Sequence, residues 1–193
     1  NYYSSCCSDE VFGRIFSQYE ERLIKMSKID FDDMLIDTYE LLTKRSDILN
    51  MWQEKFQYIL IDEFQDINPI QYKIIELLAK PQNNLFIVGD DDQSIYRFRG
   101  AKPELMLGFS KDYPNAKEVS LTWNYRSCPE IVEVADRLIS YNKHRFNKKI
   151  RTKNPSVEPV HIYKVDTTKE EYEDIVSHIK KYHSQGVEYS NMA

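Results

Sequence analysis

The sequence predicts an α/β protein, a parallel sheet flanked by helices, and three observations predict it. Tyr58-Ile59-Leu60-Ile61 is an apolar run without helical periodicity that stops at two adjacent carboxylates, Asp62-Glu63. Such a run reads as a strand buried on both faces inside a parallel sheet. Leu85-Phe86-Ile87-Val88 is a second run of this kind, and it ends in Gly89-Asp90-Asp91-Asp92-Gln93. Between them, Asn68-Pro69 opens a segment with Ile70, Ile74, Leu77 and Leu78 on one helical face. Strand, helix and strand in this order imply parallel strands whose carboxyl ends share one edge, so the two polar clusters should be neighbours. That edge is where open α/β sheets hold ligands. Taken alone, Asp62-Glu63 reads equally well as a solvated loop after a core strand.

The remaining elements follow in order. Val11, Ile15, Tyr19, Leu23 and Met26 recur at helical spacing and predict a helix over 9–27 with Asp9 as its cap. Asp30 caps a second helix carrying Met34, Leu35, Thr38, Leu41 and Leu42, with Asp33 completing a capping box. The acids there serve the helix start rather than a metal. A short helix over 46–54 precedes the first strand, 57–62, and Gln82-Asn83-Asn84 turns into the second strand. Pro103 to Leu107 forms a short helix. Val119, Leu121 and Trp123 alternate as a third strand that ends at Asn124-Tyr125-Arg126-Ser127, and Pro129 opens a helix through Ile139. Val160 to Val165 alternates as a further strand, and Glu170 to His183 forms a last amphipathic helix.

Composition narrows the class. The chain has 193 residues and a net charge of −5, with no apolar run long enough to span a bilayer and no signal-peptide pattern. A cytoplasmic protein without membrane partners is expected. Cys6, Cys7 and Cys128 have neither metal-ligand spacing nor a disulfide pattern, which suits a reducing compartment. Net acidity argues against nucleic-acid binding by bulk charge, but distribution matters more. Lys143, Arg145, Lys148, Lys149, Arg151 and Lys153 form a run without an acid. It reads first as a solvated face and second as a phosphate contact. The chain starts at Asn1 and stops soon after Gly186, where a new apolar segment begins. An internal piece of a longer protein is therefore expected.

The strand ends carry a chemistry. Asp62 can hold Mg²⁺ on a polyphosphate, Glu63 can take a proton from water, and Gln93 can orient that water or touch a terminal phosphate. Arg126 can fork onto phosphate oxygens. Tyr125 offers an aromatic face to a base, and core packing explains it equally well. Ser94-Ile95-Tyr96-Arg97-Phe98-Arg99-Gly100-Ala101 interleaves aromatics with arginines, as where single-stranded bases stack and phosphates are neutralised. The alternative is an edge segment whose aromatics are core.

Three long stretches, Ile61-Asp62-Glu63-Phe64-Gln65-Asp66, Val88-Gly89 through Gly100-Ala101, and Asn124-Tyr125-Arg126-Ser127, resemble motifs II, III and IV of the UvrD, Rep and PcrA group of superfamily 1 DNA helicases. Their order and separations match, and Phe31-Asp32-Asp33-Met34-Leu35 looks like the segment that precedes motif II. The resemblance covers nearly the whole chain. It implies a partial RecA-like (P-loop NTPase) parallel sheet over residues 1–124, with helices of an inserted subdomain in front, and the start of a second RecA-like domain over 125–193. It further implies ATP-driven translocation on single-stranded DNA, 3′ to 5′, and unwinding of duplex DNA.

Carried over position by position, Asp62 holds Mg²⁺, Glu63 activates water and Gln93 senses the γ-phosphate of ATP. Arg126 reaches that phosphate across a cleft, and Tyr125 lies against adenine. Gln65 and Asp66 couple nucleotide state to DNA contacts, and Tyr96, Phe98 and Arg99 line the DNA path. Phe98 stands where the family usually has Trp, a smaller stacking platform of the same type. No Gly-x-x-x-x-Gly-Lys-Ser/Thr occurs in the sequence. The phosphate cradle, its lysine and a hydroxyl ligand for Mg²⁺ are thus not supplied by these residues, so the isolated chain is expected to be inactive and to leave ATP and Mg²⁺ unbound. Its partners are expected to be DNA and the remainder of the helicase, with self-association through uncovered apolar surface. The alternatives are the helicase part of a helicase-nuclease that processes DNA ends, and a non-catalytic DNA-binding module.

Overall fold

A computed structural model describes residues 6–192, the side chain of Arg99 excepted. The chain divides into two compact units. The first runs to Ser120 and regains Asn142–Asn147; the second holds Leu121–Tyr141 and the chain from Lys148 onward.

The first unit begins with three helices, α1 (Asp9–Lys25), α2 (Phe31–Lys44) and α3 (Ser46–Lys55). Ser8, not Asp9, caps α1: its Oγ accepts the Val11 amide at 3.4 Å, and Asp9 lies in the first turn. Either residue type satisfies an orphan amide, and an acid in the first turn favours the helix dipole. The helix stops at Met26, and Ser27 takes a left-handed φ of 52°. Asp30 and Asp33 form the expected capping box on α2. Asp30 Oδ1 accepts the Asp32 and Asp33 amides, each at 2.9 Å, and Asp33 Oδ2 accepts the Asp30 amide at 3.0 Å.

Strand β1 (Ile59–Ile61) pairs in parallel with β2 (Leu85–Ile87), Leu60 opposite Phe86, and α4 (Pro69–Ala79) connects them. Asn68 Oδ1 accepts the Ile70 and Gln71 amides at the start of α4, and Pro69 has no amide to satisfy. Helix α5 (Pro103–Asp112) follows. The core lies on one face of the sheet: Phe64, Ile67 and Tyr72 pack with Ile61 and Ile87 from the strands, Ile75 from α4, and Leu105, Met106 and Phe109 from α5. Phe64 meets Tyr72 and Phe109 edge-on at 5.9 and 5.8 Å. Tyr72 donates to Asp112 Oδ2 at 2.7 Å, tying α4 to α5.

The strands differ from expectation in length and burial. The ladder covers 59–61 rather than 57–62, and the runs are not buried on both faces: Leu60 is 71% and Phe86 60% exposed. With no further strand or helix laid on it among the described residues, the second face stays open. Period-two alternation, not continuous burial, is what the sheet shows.

In the second unit β3 (Trp123–Asn124) pairs in parallel with β4 (Arg151–Thr152), and α6 (Pro129–Ile139) connects them. Helix α7 is Thr168–Ser184. Lys153 Nζ stands 4.8 Å from the Trp123 ring centre. The third strand is shorter than its alternation suggests, since Val119 and Leu121 are exposed and outside it, and Val160 to Val165 forms no strand. Alternation provides a face but not a partner, and an unpaired strand has no ladder to hold it.

Candidate active site at the strand ends

Two backbone bonds extend the ladder beyond β1 and β2: the Val88 amide donates to the Ile61 carbonyl at 2.8 Å, and the Phe64 amide to the Val88 carbonyl at 2.9 Å. The chain turns back at Glu63, which holds a left-handed φ of 51° and ψ of 40°. A non-glycine residue in that region costs roughly 1–2 kcal/mol. Here the turn drives Phe64 into the core while Asp62 and Glu63 remain exposed at the sheet edge. Asp62 Oδ1 accepts the Glu63 amide at 2.9 Å.

Gln65, 1% exposed, joins the two strand ends. Its Nε2 donates to Glu63 Oε2 at 2.8 Å, its Oε1 accepts the Asp90 amide at 3.0 Å, and its carbonyl accepts the Ser94 hydroxyl at 3.2 Å. The neighbouring polar clusters expected from parallel pairing are thus in direct contact. Gly89 makes the approach possible: a Cβ there would lie 2.6 Å from Gln65 Oε1 and 3.1 Å from the Phe64 nitrogen.

Residues 90–93 form a turn that is closed by its own acids. Asp90 Oδ1 accepts the Asp92 amide at 3.1 Å and Asp90 Oδ2 accepts Gln93 Nε2 at 2.8 Å. Asp91 Oδ2 accepts the Phe146 amide at 2.9 Å, and Asp92 receives a two-pronged contact from Arg145. The three carboxylates lie close enough to share a cation, but these bonds already account for them. Arg145 departs from the solvated face expected of the basic run, whereas Lys143, Lys149, Arg151 and Lys153 are exposed as that reading has them. Arg145 and Asp92 side chains are only 16% and 15% exposed. The sequence signal available was an acid-free basic run in the same chain as three consecutive acids, which indicates attraction but not which cation answers which acid.

The oxygen donors suit a hard divalent cation: an exposed Asp62 carboxylate at the carboxyl end of a parallel strand, with Glu63 beside it. Residues Asp62, Glu63, Gln65, Asp66 and Gln93 are therefore brought to one edge. Asp66 Oδ1 is buried without a hydrogen-bond partner among the described residues.

Tyr96 and Phe98 are a surface pair with ring centres 5.9 Å apart, and Phe98 is 77% exposed, so the core alternative does not hold for it. Arg97 pairs with Glu104 at 2.6 Å. Gly100 takes a φ of 86° where this segment turns toward buried Ala101. The Arg99 contact falls on a side chain outside the described residues.

Tyr125 and Arg126 belong to the second unit. The Arg126 and Ser127 amides donate to Asn124 Oδ1 at 2.9 and 2.8 Å, and Asn154 Nδ2 donates to the Tyr125 carbonyl at 3.1 Å. The Tyr125 ring is exposed rather than packed in a core. Between these residues and β4, Glu130 at the start of α6 bonds the Ser156 hydroxyl, which with the Glu130 amide holds its carboxyl below the usual range.

Family comparisons meet these elements. A model of the UvrD/REP helicase N-terminal domain matches residues 3–114, and one of the UvrD-like helicase C-terminal domain matches residues 119–193. YjcD of Bacillus subtilis is 47% identical over 181 residues, 93% of this chain and 24% of that protein. The ATP-dependent DNA helicases PcrA of Staphylococcus aureus and Staphylococcus epidermidis are 39% and 38% identical over 184 residues, 95% of this chain and 25% of each. The chain thus spans about a quarter of the length of the curated relatives it matches. No helix among the described residues is long and apolar enough to cross a membrane. Matched by these models over most of its length, the chain belongs to the UvrD/REP helicase family.

Proposed function

We propose that these residues form part of an ATP-dependent DNA helicase, with residues 1–124 contributing to one RecA-like domain and 125–193 to a second, that translocates 3′ to 5′ on single-stranded DNA and unwinds duplex DNA. The observation that carries this reading is the joined strand ends: Asp62-Glu63 exposed on one, Gln93 exposed on the other, and Gln65 bonding both. Phosphoryl transfer needs positioned charge more than covalent chemistry, and this edge provides acids and an amide on rigid strands.

Asp62 would hold Mg²⁺, which when bound neutralises charge on the β- and γ-phosphates. Glu63 takes the proton from the attacking water, and Gln65 Nε2 orients its carboxylate through the 2.8 Å bond. Gln93 presents its amide to the terminal phosphate. Arg126 supplies a forked cation to the same phosphate and Tyr125 stacks on the base. Tyr96 and Phe98, with Arg99, bind single-stranded DNA by stacking and charge. Gln65 and Asp66 transmit the nucleotide state toward that surface.

The test uses the full-length protein. DNA-stimulated ATP hydrolysis and unwinding of a 3′-tailed duplex in preference to a 5′-tailed one are expected. Glu63→Gln should lower kcat by about 10²- to 10⁴-fold, the usual contribution of a general base, while retaining binding of a fluorescent ATP analogue. The 193-residue chain alone should not turn over ATP, having no phosphate-loop sequence. Hydrolysis undiminished in Glu63→Gln overturns the assignment.

A further inference from the structure

We propose that Arg145 is a positioning residue for Gln93: it clamps the Asp91–Gln93 turn, so that the orientation of the phosphate-facing amide depends on the segment Asn142–Asn147. This rests on the ATPase reading above, and its geometry lies within the first unit. Arg145 Nε meets Asp92 Oδ1 at 2.8 Å and Nη2 meets Asp92 Oδ2 at 2.6 Å. A planar guanidinium gripping both oxygens fixes the plane and direction of the carboxylate, which a single ammonium cannot do. The next residue repeats the anchorage, with the Phe146 amide on Asp91 Oδ2 at 2.9 Å. Consecutive residues of the turn are therefore held by consecutive residues of a segment far away in sequence.

The other side of the turn is held by Gln65, through the Asp90 amide. Gln93 follows these three anchored acids; its backbone amide donates to the Asp90 carbonyl at 2.9 Å and its side-chain Nε2 to Asp90 Oδ2 at 2.8 Å. Clamped from both sides, the turn leaves Gln93 exposed. The low exposure of the ion pair makes the clamp stiffer than a surface pair, because water and salt screen it less. Arg145 also offsets the mutual repulsion of three adjacent carboxylates. Moreover, Asn142–Asn147 lies in sequence between α6 and β4, both elements of the second unit. A displacement of that segment is thus delivered to the turn that carries Gln93.

The experiment compares the full-length protein with Arg145→Ala, Arg145→Lys and the charge exchange Arg145→Asp/Asp92→Arg. Arg145→Ala is expected to lower kcat for DNA-stimulated ATP hydrolysis about tenfold or more while changing KM for ATP less than about threefold, the split of a transition-state effect. Arg145→Lys should recover part of the loss, and the exchange should exceed Asp92→Arg alone. Hydrogen exchange read by mass spectrometry should rise in peptides over 88–95 in Arg145→Ala and stay unchanged over α4. If the unsubstituted protein has no ATPase, the helicase reading falls and the exchange measurement alone decides the clamp. Unchanged exchange over 88–95 overturns the proposal, as does Arg145→Lys with full kcat.

Discussion

Gly89 is where the backbone of one strand end passes closest to the side chain that joins it to the other. A methyl group there meets not only the Gln65 amide but two backbone nitrogens, which cannot swing aside. Gly89→Ala should therefore destabilise the protein by about 1–3 kcal/mol, the usual penalty of overpacking. Gly13, within α1 and with nothing within 4 Å of its added Cβ, is the control. Gly13→Ala should stabilise by about 0.8–1 kcal/mol through helix propensity. Chemical denaturation of both variants checks the pair of signs. At this scale the sequence displayed the chemistry but not the support. Asp62, Glu63 and Gln93 are legible as candidates because polar residues that follow an apolar run stand out. The left-handed backbone of Glu63, the depth of Gln65 and the Arg145 fork depend on contacts among distant residues, which no local pattern announces.

Helices were far more legible than strands. A helix satisfies its own backbone bonds and marks its ends with caps a few residues away, so the Asp30 capping box and the Asn68-Pro69 helix start could be found from spacing alone. A strand needs a neighbour. Val119 and Val160 begin alternating stretches as regular as many real strands, but the described residues offer them no ladder. The α2 cap also has a pH signature. The Asp33 amide, then the Tyr19 hydroxyl, hold the Asp30 carboxyl below its usual range. A depressed folded pKa stabilises the fold above the unfolded carboxyl pKa, and this contribution is lost as pH falls through the folded value. Asp30→Asn, which keeps a capping oxygen but does not titrate, should flatten the decline of melting temperature on acidification relative to the unsubstituted protein. Parallel declines in thermal melts from neutral pH to the acid range would count against it.

For the molecule as a whole, the open face of the β1–β2 sheet sets the behaviour of the isolated chain. Tyr58, Leu60, Phe86 and Val88 expose apolar surface beside strand edges that can pair with another chain. The 193-residue chain should consequently self-associate as its concentration rises, with Leu60→Lys reducing association. Light scattering that finds a strict monomer at every concentration overturns this. The parallel β-α-β logic and the acidic edge were legible because they repeat over short spans. Uncovered apolar surface was expected of a piece of a longer chain, but which face of which strands would carry it was not legible, since apolar runs look the same whether one or both sides are covered.

The return of Asn142–Asn147 to the first unit bears on how the gene can be divided. The stretch that matches the N-terminal family model ends at residue 114, whereas the unit that packs around Phe64 takes in residues almost thirty positions later. Inheritance and packing therefore draw different borders. A truncation placed at the family border would keep all three acids of the Asp90–Asp92 turn and discard the guanidinium that holds one of them. Exchanging the downstream portion between relatives would likewise replace part of the upstream unit, so Asp92 and Arg145 should be transferred as a pair.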